Sequence, residues 1–95
     1  MLIAMVESSP NMRYRLVWHP SARKDLRNVP DQERARILVA LAGLVGEPLS
    51  GKKLSGEYEG SYSLRVWPYR IIYMLLKNEL VVMIVQIGQR GGVYK

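Results

Sequence analysis

Ninety-five residues, 48% of them hydrophobic, are enough for one packed domain and leave no room for a second core. The absence of cysteine excludes disulfides and thiol chemistry, the single histidine argues against a zinc site, and no apolar run reaches the roughly 18 residues of a membrane span. The net charge of +6 is uneven: residues 13–36 carry seven Arg/Lys against three acids, residues 61–95 carry five against one, and residues 37–60 sum to −1. Two basic segments joined by a near-neutral one point to a polyanionic partner, a nucleic acid or an acidic protein, with ordinary solubilising charge as the plain alternative.

Residues 1–11 are expected to be an N-terminal extension, with residues 12–95 forming the domain, because Met12 stands immediately before the first strand-like segment. The apolar "MLIAMV" lacks a basic n-region and is followed by Glu7, which argues against a signal peptide and for a cytoplasmic protein. "RYRLVW" alternates polar and apolar over Arg13–Trp18 and predicts a strand. Pro20 should end it, and Ser21 should cap a short helix over "SARKDLRNV", with Ala22, Leu26 and Val29 on its inward stripe. Pro30, Asp31 and Glu33 open a second helix, in which Ile37, Leu38, Leu41, Leu44 and Val45 recur at helical spacing until Gly46 and Pro48.

"GEPLSGKKLSGEYEG" then reads as a glycine-rich connection carrying Lys52 and Lys53. Three strands follow as a meander, Tyr62–Trp67, Tyr69–Leu76 and Leu80–Ile87, with Lys77, Asn78 and Glu79 forming the second turn. The last strand, "LVVMIVQI", is apolar on both faces and should lie centrally. The order β-α-α-β-β-β predicts an α+β domain, a helical hairpin packed on a mainly antiparallel four-stranded sheet.

Period-two alternation sorts the meander into faces. Leu64 and Val66 point one way, and Ser63, Arg65 and Trp67 the other. If the first pair meets the helices, Arg65 lies on the open face, where Arg70 can join it. Antiparallel pairing returns the end of the last strand, and with it Arg90, towards Arg70, while the tail supplies Tyr94. Guanidinium groups gathered in this way match a phosphate through paired donors, and Trp67, Tyr69 and Tyr94 offer rings for unpaired bases. The competing reading pairs Arg65 and Arg70 with Glu57, Glu59 or Glu79. His19, at the end of the first strand and far from the arginines in sequence, is read as structural or solvated.

The "SARKDL", "PYRIIY" and "GQRGGVYK" segments, in this order and at these spacings, resemble the RelE/ParE superfamily of toxin–antitoxin systems, and the RelE branch in particular. The resemblance implies a small cytoplasmic toxin that cuts mRNA in the ribosomal A site without metal or other cofactor, leaving a 2′,3′-cyclic phosphate and a 5′-hydroxyl. It implies a cognate antitoxin as partner, alongside the ribosome and mRNA, and no membrane. Carried onto this chain, it makes Arg65, Arg70, Arg90 and Tyr94 the catalytic residues. Beside them, Lys52 and Lys53 read either as a solvated loop pair or as RNA contacts, with Trp67 and Lys95 as further candidate RNA contacts. Ser63 departs from the pattern, since some relatives have there a lysine proposed as the base, and serine is a poor proton acceptor at neutral pH. The alternatives are a ParE-like inhibitor of DNA gyrase and an inactive relative that only binds its antitoxin.

Overall fold

The structure, a computed structural model, describes residues 14–89. Strand β1 spans Arg15–Trp18 and is followed by helices α1 (Pro20–Arg27) and α2 (Asp31–Leu44). A two-residue strand β2 (Lys52–Lys53) precedes β3 (Ser61–Val66), β4 (Tyr69–Leu76) and β5 (Val81–Gln89). The strands form one sheet in the order β1-β5-β4-β3-β2, with β1 parallel to β5 and every other pair antiparallel. The α+β class and the antiparallel meander stand as expected, with β5 in the interior of the sheet. The sheet has five strands rather than four, because Lys52 and Lys53 bond to the edge of β3 instead of remaining in the loop.

Helix α1 begins one residue earlier than its sequence suggests. Pro20 occupies the first turn, where its missing N–H costs nothing, and His19 is the cap. The His19 Nδ1 accepts from the Ser21 N–H at 3.1 Å, which gives the histidine its structural role. Ser21, expected as the cap, instead donates its hydroxyl to the Val85 carbonyl at 3.0 Å. Asp25, further along α1, accepts the Ile87 N–H at 3.0 Å. The pairing of β1 with β5 ends at Trp18 and Ile84, so α1 satisfies backbone groups of β5 beyond that point.

The core lies between the helices and one sheet face. Ala22 and Val29 on the α1 side, and Ile37, Leu41 and Leu44 from α2, pack on Tyr69, Ile71, Tyr73, Val82, Ile84 and Ile87. Leu38, expected in the inward stripe of α2, is instead 44% exposed. Ile37, Leu41 and Leu44 already fill the single stripe that meets the sheet, and Leu38 sits about 100° round the helix from it. The turn after β4 is a short 3-10 segment, Lys77–Glu79. Leu80 follows it in the left-handed region at φ 54°, so β5 begins at Val81 rather than at Leu80.

One clamp fixes the glycine-rich connection. The Tyr73 hydroxyl donates to the Pro48 carbonyl at 2.8 Å and accepts the Gly51 N–H at 3.1 Å. A Cβ on Gly51 would collide with the Tyr73 hydroxyl and come within 2.9 Å of the Ser63 carbonyl. Only glycine lets the chain lie this close to the sheet, and β2 forms directly after it.

Candidate nucleic-acid interface

The face of the sheet turned away from the helices carries Lys52, Arg65 and Arg70. Arg65 on β3 and Arg70 on β4 are direct cross-strand partners, which brings their Cβ atoms to about 5 Å on one face. Gly88 stands opposite Arg70 on β5 and adds no side chain there. Ser63, two residues before Arg65, faces Ile72 on one side and Lys52 on the other. Lys52 is therefore the diagonal neighbour of Arg65, about 7–8 Å away on the same face. Lys52, Ser63, Arg65, Arg70 and the Ser50–Gly51 segment line a cavity of about 250 Å³. Lys52 and Arg65 are exposed, Arg70 is half-buried, and Ser63 is buried at 5% exposure.

None of the five strands contains an acidic residue. Glu79 lies in the turn beyond Leu76, at the far end of β4 from Arg70, and Glu59 precedes β3 at the end far from Arg65. Four residue steps of strand and a turn separate Glu59 from Arg65, and six steps of strand and a 3-10 turn separate Arg70 from Glu79. Of the acids in the competing reading, Glu59 and Glu79 thus stand beyond the strand ends remote from the two arginines. The direct register of Arg65 and Arg70 brings two guanidinium groups together on this face.

The other sequence-selected residues divide among several places. Trp67 sits in the two-residue turn between β3 and β4 rather than at the end of a strand, and is 56% exposed. The Arg36 guanidinium anchors that turn to α2 by donating to the Trp67 carbonyl at 2.6 Å. Lys53 is exposed on β2 opposite Tyr62, so its register belongs to the other face of the sheet from Lys52. Arg90, Tyr94 and Lys95 lie outside the described residues. Tyr69 is not a stacking platform: it is buried and donates to Glu33 Oε1 at 2.8 Å. That hydrogen bond to Glu33, reinforced by burial, raises the Tyr69 phenol above its ordinary value, and burial raises Tyr73 likewise.

Sequence reasoning missed the register of Lys52 and the clamp around Gly51. A two-residue strand is too short to show a period, and nothing local marks Tyr73 as a partner for a loop twenty residues earlier. Among the described residues no group of three or more His, Cys, Asp or Glu could hold a metal ion, and no helix is long and apolar enough to cross a membrane.

The family model for the ParE toxin of type II toxin–antitoxin systems matches residues 16–94. The chain is 31% identical over 86 residues to Toxin RelG of Mycobacterium tuberculosis (strain ATCC 25618 / H37Rv), across 88% of this chain and 99% of that relative. It superposes on a chain of the toxin–antitoxin complex RelBE2 from Mycobacterium tuberculosis with a TM-score of 0.76 at 31% identity, covering 82% of this chain and 92% of the other. The archaeal RelE–RelB complex from Pyrococcus horikoshii OT3 gives 0.73 at 28% identity, covering 84% and 98%. Fold and matches together define a toxin of a type II toxin–antitoxin system. The chain belongs to the RelE/ParE superfamily.

Proposed function

We propose that this toxin is a ribosome-dependent endoribonuclease that cuts mRNA in the A site and so arrests translation. The observation that carries this reading is the cross-strand register of Arg65 and Arg70, beside Lys52, around one cavity on a sheet without acids. In the reaction, the ribose 2′-oxygen attacks the adjacent phosphorus as it gives up its proton. The bond to the 5′-oxygen breaks, and that oxygen gains a proton. The products are a 2′,3′-cyclic phosphate and a 5′-hydroxyl. Negative charge builds on the non-bridging oxygens in the transition state, where fixed guanidinium groups stabilise it most. Arg65, Arg70 and Arg90 take that role, and Tyr94 orients the nucleotide. Lys52, Lys53, Trp67 and Lys95 contact the RNA.

We infer residues 12–95 to be the working domain and the cytoplasm, where ribosomes are, to be the compartment. A cognate antitoxin is the partner, supported by relatives found in toxin–antitoxin complexes. A basic face of this kind favours rapid capture by an acidic segment.

Primer extension on translating ribosomes tests the reading. The wild-type protein should produce cuts at A-site codons, and Arg70→Ala should slow cutting by about 10² to 10³ while the domain stays folded. Equal cutting by the two proteins would overturn the assignment. A second reading, a ParE-like gyrase inhibitor, is favoured by the family model itself. It predicts loss of supercoiling in a ribosome-free assay and no mRNA fragments. A third, an inactive antitoxin-binding relative, draws on Ser63 and predicts no growth arrest on expression without an antitoxin.

A further inference from the structure

We propose that Lys52 is a phosphate-contacting cation of this site, delivered by a strand that Tyr73 pins in place. The inference rests on the nuclease reading and adds to it a residue role and a positioning device. Lys52 stands opposite Ser63, so its side chain leaves the sheet on the face that carries Arg65 and Arg70. Ser63 between them is small and buried. All four residues line the same cavity. An ammonium presents three donors and a compact charge, which suits a non-bridging phosphate oxygen that two arginines approach from the neighbouring strands.

The placement of Lys52 depends on the segment before it. Gly51 donates its N–H to the Tyr73 hydroxyl, and that hydroxyl donates to the Pro48 carbonyl. One phenol therefore ties both ends of the Pro48–Gly51 turn to the interior of the sheet. The next residue enters the ladder with β3 in a single register. A one-residue slip would send Lys52 to the opposite face and bring Lys53 into its place. Tyr73 is thus a positioning residue, acting through Lys52 rather than on the RNA.

The test is the rate of A-site cleavage by the full chain on programmed ribosomes. Lys52→Ala should slow cleavage by about 10² to 10³, as expected for losing one transition-state cation. Lys52→Arg, which keeps the charge, should stay within about tenfold of wild type. Lys77→Ala, at the opposite end of the sheet, should cut at the wild-type rate. Tyr73→Phe should slow the wild type yet add nothing in the Lys52→Ala background. A general loss of structure would slow both backgrounds alike. Lys52 is exposed, so its truncation leaves the core intact, and circular dichroism checks each variant.

If Lys52→Ala cuts like wild type while Arg70→Ala does not, the Lys52 role is overturned and the nuclease reading stands. If Lys52→Arg is as slow as Lys52→Ala, the charge role is overturned in favour of proton transfer by the amine. If Tyr73→Phe slows both backgrounds equally, the positioning device is overturned. If the wild-type protein leaves programmed mRNA intact, the nuclease reading falls and the Lys52 role falls with it.

Discussion

Arg65 and Arg70 in direct cross-strand register set two like charges side by side, which by itself disfavours the fold. A purely structural surface would gain from replacing one of them. Arg65→Gln should therefore stabilise the folded protein by about 0.2–1 kcal/mol, more at low ionic strength, where the repulsion is less screened. On the proposed nuclease reading, the same substitution should slow cleavage by about 10² or more, because that reading sets Arg65 against the transition-state charge. Urea denaturation and primer extension on one preparation check both halves. A charge that harms the fold and serves the reaction is the signature of a functional residue. At this scale the sequence was informative wherever a strand was long enough to alternate. Arg65 and Arg70 could be placed on one face by period two alone. Lys52 could not, since its strand has two residues and its partner Ser63 lies eleven positions away.

At the scale of elements, helix α1 is tied to β5 by its own side chains, and the Pro48–Gly51 turn is held by a side chain from β4. Asp25 reaches from α1 to the Ile87 amide, and the Tyr73 hydroxyl reaches from β4 to the turn. Gly51→Ala tests the second connection. Its new methyl would collide with Tyr73 and press on the Ser63 carbonyl, so the turn must shift or the fold must strain. A loss of about 1–3 kcal/mol is expected, read by thermal or urea unfolding. Cleavage should fall as well, because β2 carries Lys52 out of register. The helices themselves were legible from their stripes and breakers. Their detailed ends were not: His19 took the cap that Ser21 could equally have supplied, since Ser21 found the Val85 carbonyl in the folded chain. Leu38 was placed inward by spacing alone and lies outward because the sheet meets only one stripe of α2.

Over the whole molecule, two buried phenols link the core to pH. The Tyr69 hydroxyl bonds to Glu33 across the α2–sheet boundary, and Tyr73 holds the turn, with both phenols raised above their ordinary value of about 10. The folded state therefore holds these protons more tightly than the unfolded chain does. Their contribution to stability is complete below about pH 10 and is lost as the pH rises through the raised folded values. The denaturation midpoint should fall above about pH 10, and Tyr69→Phe should flatten that fall. A midpoint with the same alkaline slope in both proteins would show that Tyr69 is not linked to unfolding.

The amino-acid sequence by itself determined the class of the fold, the alternating faces of the long strands and the net positive charge. All of these follow from local periodicity and composition, which need no knowledge of what lies across the sheet. Only the tertiary structure decided that a lysine pair becomes an edge strand and that Lys52 shares the face of Arg65 and Arg70. Those facts depend on register, which is set by contacts between segments far apart in the chain and so leaves no trace in any short window.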